Sequence, residues 1–148
     1  EVLYQSPGVE LAAAVGQPDR RVGEMPVAFV QMQAGKAFDE EAIKSFVRER
    51  IQERAANPVA VHEISEMPLT QVGKIFKPAV RWEAARLVLQ RELSAIARDR
   101  AEISVQVEAH PAHGTLATIS VTGGDDELLD RLREAVGGYP LHCEFIRA

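Results

Sequence analysis

Residues 68–74 read Pro68-Leu69-Thr70-Gln71-Val72-Gly73-Lys74, a turn-rich loop or tight hairpin lying between two periodic stretches of the chain. A glycine followed by a lysine suggests a phosphate-binding loop. That pattern would need glycine at Pro68 and serine or threonine at Ile75, so it is excluded. What remains is a lysine set just after a glycine, with proline and threonine shaping the turn. Its ammonium is a mobile point charge on a long stem, suited to carboxylate or phosphate oxygens. Taken alone, the run also reads as a solvated surface lysine in a hairpin, and both readings stand.

Downstream, proline suits the first turn of a helix, because its missing N–H is not needed there. A long helix is expected from near Pro78 to about Arg98, with Val80, Ala84, Leu87, Val88, Leu93 and Ile96 on its apolar face. Upstream, Val59, Val61 and Ile64 suggest a strand. Before it a helix is expected from the N-cap Asp39 to Asn57-Pro58. Phe38 can staple onto Ile43, the stripe is Ile43, Phe46, Val47 and Ile51, and Glu40 can pair with Lys44. Val9–Val15, closed by Gly16 and Pro18, and Met25–Gln31 read as two further strands. The first residues, Glu1-Val2-Leu3-Tyr4-Gln5, read as the middle of a helix with no signal peptide, which suggests a piece of a longer chain. Residues 1–100 thus alternate strands and helices in an α+β order.

The tail has its own pattern. Ile103, Val105 and Val107 alternate with polar neighbours, as do Ala117, Ile119 and Val121, then Leu141, Cys143 and Phe145. Leu128, Leu129, Leu132, Ala135 and Val136 mark a helix stopped by Gly137-Gly138. His110-Pro111-Ala112-His113-Gly114 is a hairpin turn, so residues 101–148 form a ββαβ unit.

Bulk composition narrows the function classes. The chain has 148 residues, of which 46% are hydrophobic and 5% aromatic, so a core of Val, Ile, Leu and Ala is available. A net charge of -5 argues against nucleic acid, which needs a concentrated excess of Lys and Arg. The single cysteine, Cys143, rules out an internal disulfide and fits a reducing, cytoplasmic compartment. No apolar run reaches the roughly 20 residues that span a bilayer. His110 and His113 lack a third ligand spaced to join them, and no metal site is expected in this chain.

Two segments together carry a resemblance. Val15-Gly16-Gln17-Pro18-Asp19-Arg20-Arg21-Val22-Gly23-Glu24 resembles the Val-Gly-x-Pro-Asp-x-x-x-Gly-Glu segment of the adenylate-forming superfamily, and 68–74 resembles its Pro-x-Thr-x-x-Gly-Lys motif. The approach Val2-Leu3-Tyr4-Gln5-Ser6-Pro7-Gly8-Val9 is also similar, with Ser6 where histidine is usual. The match covers about residues 1–98 and looks most like fatty acyl-CoA synthetases, through Gly23–Gln31 and Gly73–Pro78.

The resemblance implies a mobile C-terminal lid, a small mixed sheet with flanking helices over residues 1–100, to which the 101–148 unit is appended. It implies an enzyme that makes an acyl-adenylate from ATP and a carboxylic acid, in this subgroup a fatty acid, and then transfers the acyl group to CoA. Lys74 would be the adenylation lysine, supported by Thr70, Gly73 and Lys77 and by the Gly16, Asp19, Gly23 and Glu24 segment. Arg48 is the counterpart of an arginine that meets a CoA phosphate in some relatives. Mg2+ and the phosphate loop would belong to an N-terminal adenylation domain, the partner absent from these residues, and the isolated chain is expected to be inactive. The rival account is a stand-alone binding or oligomerisation module, for which the ββαβ unit offers an unpaired edge strand.

Overall fold

A computed structural model describes residues 2–148, which divide into two compact units. The first takes the residues up to Gln17 and Met25–Arg81, and the second takes Pro18–Glu24 and Trp82–Ala148.

In the first unit a 3-10 turn at Val2–Gln5 stands where helix was expected. Two long strands follow, β1 at Val9–Asp19 and β2 at Gly23–Met32, joined by a turn too short for anything but an antiparallel pair. β1 does not close at Gly16 and Pro18. The strand runs on to Asp19, whose carboxylate makes the turn by accepting the Arg21 and Val22 N–H groups at 2.8 and 3.0 Å.

Helix α1, Glu40–Arg50, starts at Asp39, which accepts the Ala42 N–H at 3.1 Å. It ends well before Asn57. Ile51 leaves helical geometry at φ -108°, ψ 111° and packs against the core, and Asn57 Nδ2 reaches back to the Ile51 and Glu53 carbonyls. Glu40 does not pair with Lys44. Its carboxylate accepts the Val61 N–H at 3.0 Å, and Lys44 lies 3.9 Å from Glu41. That bond ties the start of α1 to β3, Val61–Glu63, which pairs parallel to β2 with Ala28 opposite Val61. Leu3, Val9, Ala12, Ala28, Val30, Ile43, Val47 and Val61 form the buried cluster, with Phe38 and Ile51 against it. Phe46 stays outside, under the Arg50 guanidinium 3.5 Å from its ring centre.

Helix α2 spans Lys77–Ala97, and the division between units falls inside it. Residues 101–148 therefore do not pack as a separate body. Leu89, Leu93 and Ala97 of α2 share one buried cluster with Val105, Ala117, Ile119, Val121, Leu128 and Leu132. Leu89, which the apolar stripe passed over for Leu87, is fully buried.

The tail forms β4 (Ala101–His110), β5 (Gly114–Gly123), α3 (Asp126–Val136) and β6 (His142–Arg147), the ββαβ order read from the alternation. β4 pairs antiparallel with β5 without a break, from Ala101 opposite Gly123 to His110 opposite Gly114. β6 lies parallel on the other side of β5. Ala101, Ile103, Val105 and Val107 of β4 and Ala117, Ile119 and Val121 of β5 join that cluster, as period-2 patterning requires, and Leu116 is buried outside it. Asp125 caps α3 by accepting the Leu128 N–H at 2.9 Å. The fold is α+β throughout, two small mixed sheets with flanking helices.

Candidate functional site: the Lys74 hairpin

The 68–76 segment is a tight hairpin. Leu69 and Ile75 bridge antiparallel, the Thr70 N–H bonds to the Lys74 carbonyl at 2.6 Å, and the Phe76 N–H bonds to the Pro68 carbonyl at 2.9 Å. The Gly73 N–H closes the turn onto the Thr70 carbonyl at 3.0 Å. Gly73 sits at φ +83°, the left-handed position a three-residue hairpin loop assigns to glycine. Thr70 adds a side-chain brace, its Oγ1 accepting the Lys74 N–H at 3.2 Å. The motif letters thus each have a local task, and their sum is to point Lys74 outward.

Lys74 is exposed, and among the described residues no carboxylate pairs with its ammonium. Beside the hairpin, Leu3, Tyr4, Ala12, Ala13, Ala14, Ile75 and Lys77 line a cavity of about 310 Å3. Lys77, also exposed, opens α2 with no acidic residue in its first turn. The hairpin therefore offers an exposed cation on a flexible stem whose backbone is held by hydrogen bonds, suited to carboxylate or phosphate oxygens.

The other expected residues stand on other elements. Asp19 builds the β1–β2 turn, and the Val22 and Arg21 N–H groups it accepts hold its carboxyl below the usual carboxylate range. Gly23 follows at φ +89°, and Glu24 is exposed. Gly16 lies within β1. Arg48 is on the open face of α1, whereas its neighbour Arg50 is engaged by the Phe46 carbonyl at 3.1 Å and by Glu49 at 3.6 Å.

Sequence reasoning missed a polar cluster in the second unit. Arg20, in the β1–β2 turn, reaches Glu92 at 2.5 Å and stands 5.6 Å from the Tyr139 ring centre, and the Tyr139 hydroxyl donates to Glu92. Burial and then that bond push the Tyr139 phenol up to about 12. It also missed His142, whose ring stacks on His113 at 3.7 Å, with His110 beyond at 4.7 Å. His110 Nδ1 accepts the Ala112 and His113 N–H groups, which occupies it as a turn-former. Among the described residues no three His, Cys, Asp or Glu side chains are grouped as a metal ion would require. Cys143 is half-buried, and burial pushes its thiol up to about 11, so it is a packed thiol at neutral pH.

Comparison with known proteins shows the family and its fold. The family model described as "AMP-binding enzyme C-terminal domain" matches residues 1–74, ending on Lys74. This chain belongs to that family. Among curated relatives, the marinolic acid–CoA ligase of Pseudoalteromonas sp. (strain SANK 73390) is 34% identical over 119 residues, covering 80% of this chain and 18% of the ligase. Acetyl-coenzyme A synthetase of Deinococcus radiodurans is 33% identical over 110 residues, covering 74% of this chain and 16% of the synthetase. Among solved structures, the Brucella canis acyl-CoA synthetase superposes with a TM-score of 0.51 at 29% identity, over 56% of this chain and 16% of that one. The chain therefore spans less than a fifth of the length of these relatives. No described helix is long and apolar enough to cross a membrane.

Proposed function

We propose that this chain is the lid of a cytoplasmic AMP-forming acid–CoA ligase, with residues 1–100 as the lid proper, and that Lys74 supplies the cation for acyl-adenylate formation. The carrying observation is the hairpin, which fixes the Lys74 backbone on both sides while leaving its ammonium open.

In the first half-reaction a carboxylate oxygen attacks the α-phosphorus of ATP, and pyrophosphate leaves with the electron pair of the broken P–O bond. Two anions must meet, and charge gathers on the oxygens between them. The Lys74 Nζ set against the carboxylate and α-phosphate oxygens stabilises that charge, most strongly where the cleft excludes water. In the second half-reaction the CoA thiol loses its proton, attacks the acyl carbonyl and expels AMP. Lys74 is not needed there, and a turned lid would bring another face to the cleft. Arg48, exposed on α1, is suited to a CoA phosphate, with the guanidinium fork matching phosphate oxygens. Mg2+ would be held by the N-terminal domain. The fatty-acid preference rests on the Gly23–Gln31 and Gly73–Pro78 segments.

The test is made on the intact parent enzyme. Lys74→Ala should lower acid-dependent ATP–pyrophosphate exchange by about 10²–10³-fold, while CoA transfer from a supplied acyl-adenylate stays within about threefold of the parent, a change worth well under 1 kcal/mol. Equal loss in both half-reactions would sink the assignment. Exchange by the 148-residue chain alone would sink the lid reading itself.

A further inference from the structure

We propose that the outer edge of β4, from Val105 to Ala109, pairs with the same edge of a second copy of this chain. β4 is an outer strand of its sheet, whose order is β4-β5-β6. Gln90 of α2 already acts on that edge as a short strand would. Its Nε2 donates to the Ile103 carbonyl at 2.7 Å and its Oε1 accepts the Val105 N–H at 3.1 Å. Along an antiparallel strand, residues alternately turn both backbone groups toward and away from the neighbour. Gln90 therefore shows that the odd-numbered residues of β4 point their groups outward.

Beyond Gln90, the Val105 carbonyl and both groups of Val107 and Ala109 face out, and no side chain or loop among the described residues bonds them. Past Ala109 the sequence reaches Pro111, which has no N–H to offer. The edge is thus unpaired over a defined length with a stop at each end, buried at Val105 and exposed at Gln106, Glu108 and Ala109. Edges left free in natural sheets are normally blunted by lysine, proline or a bulge. This one reads Val-Gln-Val-Glu-Ala, with no lysine and the single charge of Glu108, and its pairing with β5 has no bulge.

The open stretch is complementary to itself. With a two-fold axis through Val107, antiparallel pairing sets Val107 against Val107, Val105 against Ala109 and Gln106 against Glu108. Each carboxylate then meets an amide, and no like charges face one another. The Val107 N–H of each copy meets the Val107 carbonyl of the other, and the Ala109 N–H meets the Val105 carbonyl. Centring the pair on Val105 is blocked, because Gln90 holds the groups it would use. Centring it on Ala109 brings Pro111 opposite Val107, where a donor is missing.

This inference does not depend on the role of Lys74, and it is tested on the 148-residue chain by light scattering and sedimentation across concentrations. The mass should double as concentration rises. Gln106→Glu sets two carboxylate pairs face to face and should weaken the dimer about tenfold, while Gln106→Lys should tighten it several-fold. Ala109→Pro removes an outward donor that β5 does not use and should leave a monomer with an unchanged circular dichroism spectrum. A chain monomeric up to about 1 mM, a span over which even weak contacts of a few kcal/mol register, overturns the proposal. So does a dimer indifferent to both Gln106 substitutions.

Discussion

In the hairpin, Val72 at the tip is 80% exposed and Thr70, Gly73 and Lys74 are open to solvent, whereas in the C-terminal unit Ile119, Leu128 and Leu132 are sealed at 0%. The two regions hold their shapes by different physics. The hairpin relies on short-range backbone bonds and one threonine hydroxyl, which position an ammonium without burying it. The ββαβ unit relies on apolar side chains from three strands and two helices closing on one cluster. If Lys74 acts as proposed, chemistry and stability are carried by separate residues, and substitutions can move one without the other.

The largest stability effect is expected in the core. Leu132→Ala deletes a fully buried side chain between α3 and its sheet and should lower unfolding free energy by about 2–5 kcal/mol in urea titration. Lys74→Ala should move the same midpoint by no more than about 0.5 kcal/mol, since surface changes away from caps and networks rarely do more. A large stability loss at Lys74 would break the separation. Next in size is Gly73→Val. It forces a β-branched residue to φ +83°, at a cost of about 1–2 kcal/mol, although nothing crowds the added Cβ. The parent enzyme should lose adenylation rate while the core midpoint barely shifts, because the hairpin can open locally.

How far the residues announced this outcome differed between regions. The tail was legible because each strand alternates apolar and polar positions and Asp125 and Gly137 bracket its helix, so local signals agree with the burial they produce. The Lys74 hairpin was legible as a turn, since Pro68, Thr70 and Gly73 are turn-formers at turn spacing. Its chemical meaning came only from joining it to the Gly16–Glu24 segment by resemblance. The end of α1 was not legible. Residues 51–56 contain good helix formers, and what turns the chain out is the core side of Ile51, a tertiary fact, together with the Asn57 amide reaching back to Ile51 and Glu53. Gln90, Glu92 and Tyr139 were invisible, as the packing of Ile51 was, because their partners lie far along the chain.

Two smaller effects refine the comparison within the C-terminal unit. Arg98 follows the last turn of α2 at φ 52°, the one non-glycine residue with positive φ among those described, and its N–H bonds to the Ser94 carbonyl at 2.8 Å. Helices usually place glycine there. Arg98→Gly relieves that strain but frees the unfolded chain, leaving a net gain of about 0.5–1 kcal/mol by thermal or urea denaturation.

The smallest effect is a titration. The Leu128 N–H, then the Arg100 guanidinium at 3.1 Å, hold the Asp125 carboxyl below its ordinary value of 3.8. A carboxyl depressed by folding lends stability that is complete above its unfolded pKa and fades as pH falls through the folded one. The melting temperature of the native chain should therefore drop below about pH 4, the range of a free aspartate. Asp125→Asn keeps an N-cap acceptor but has no proton to gain. Its melting curve should be flatter over that acid window and converge with the native one as Asp125 protonates. Identical acid limbs in the two proteins would assign the acid sensitivity to other carboxylates. Asp19, held low in the same way by Val22 and Arg21, is then the first to replace.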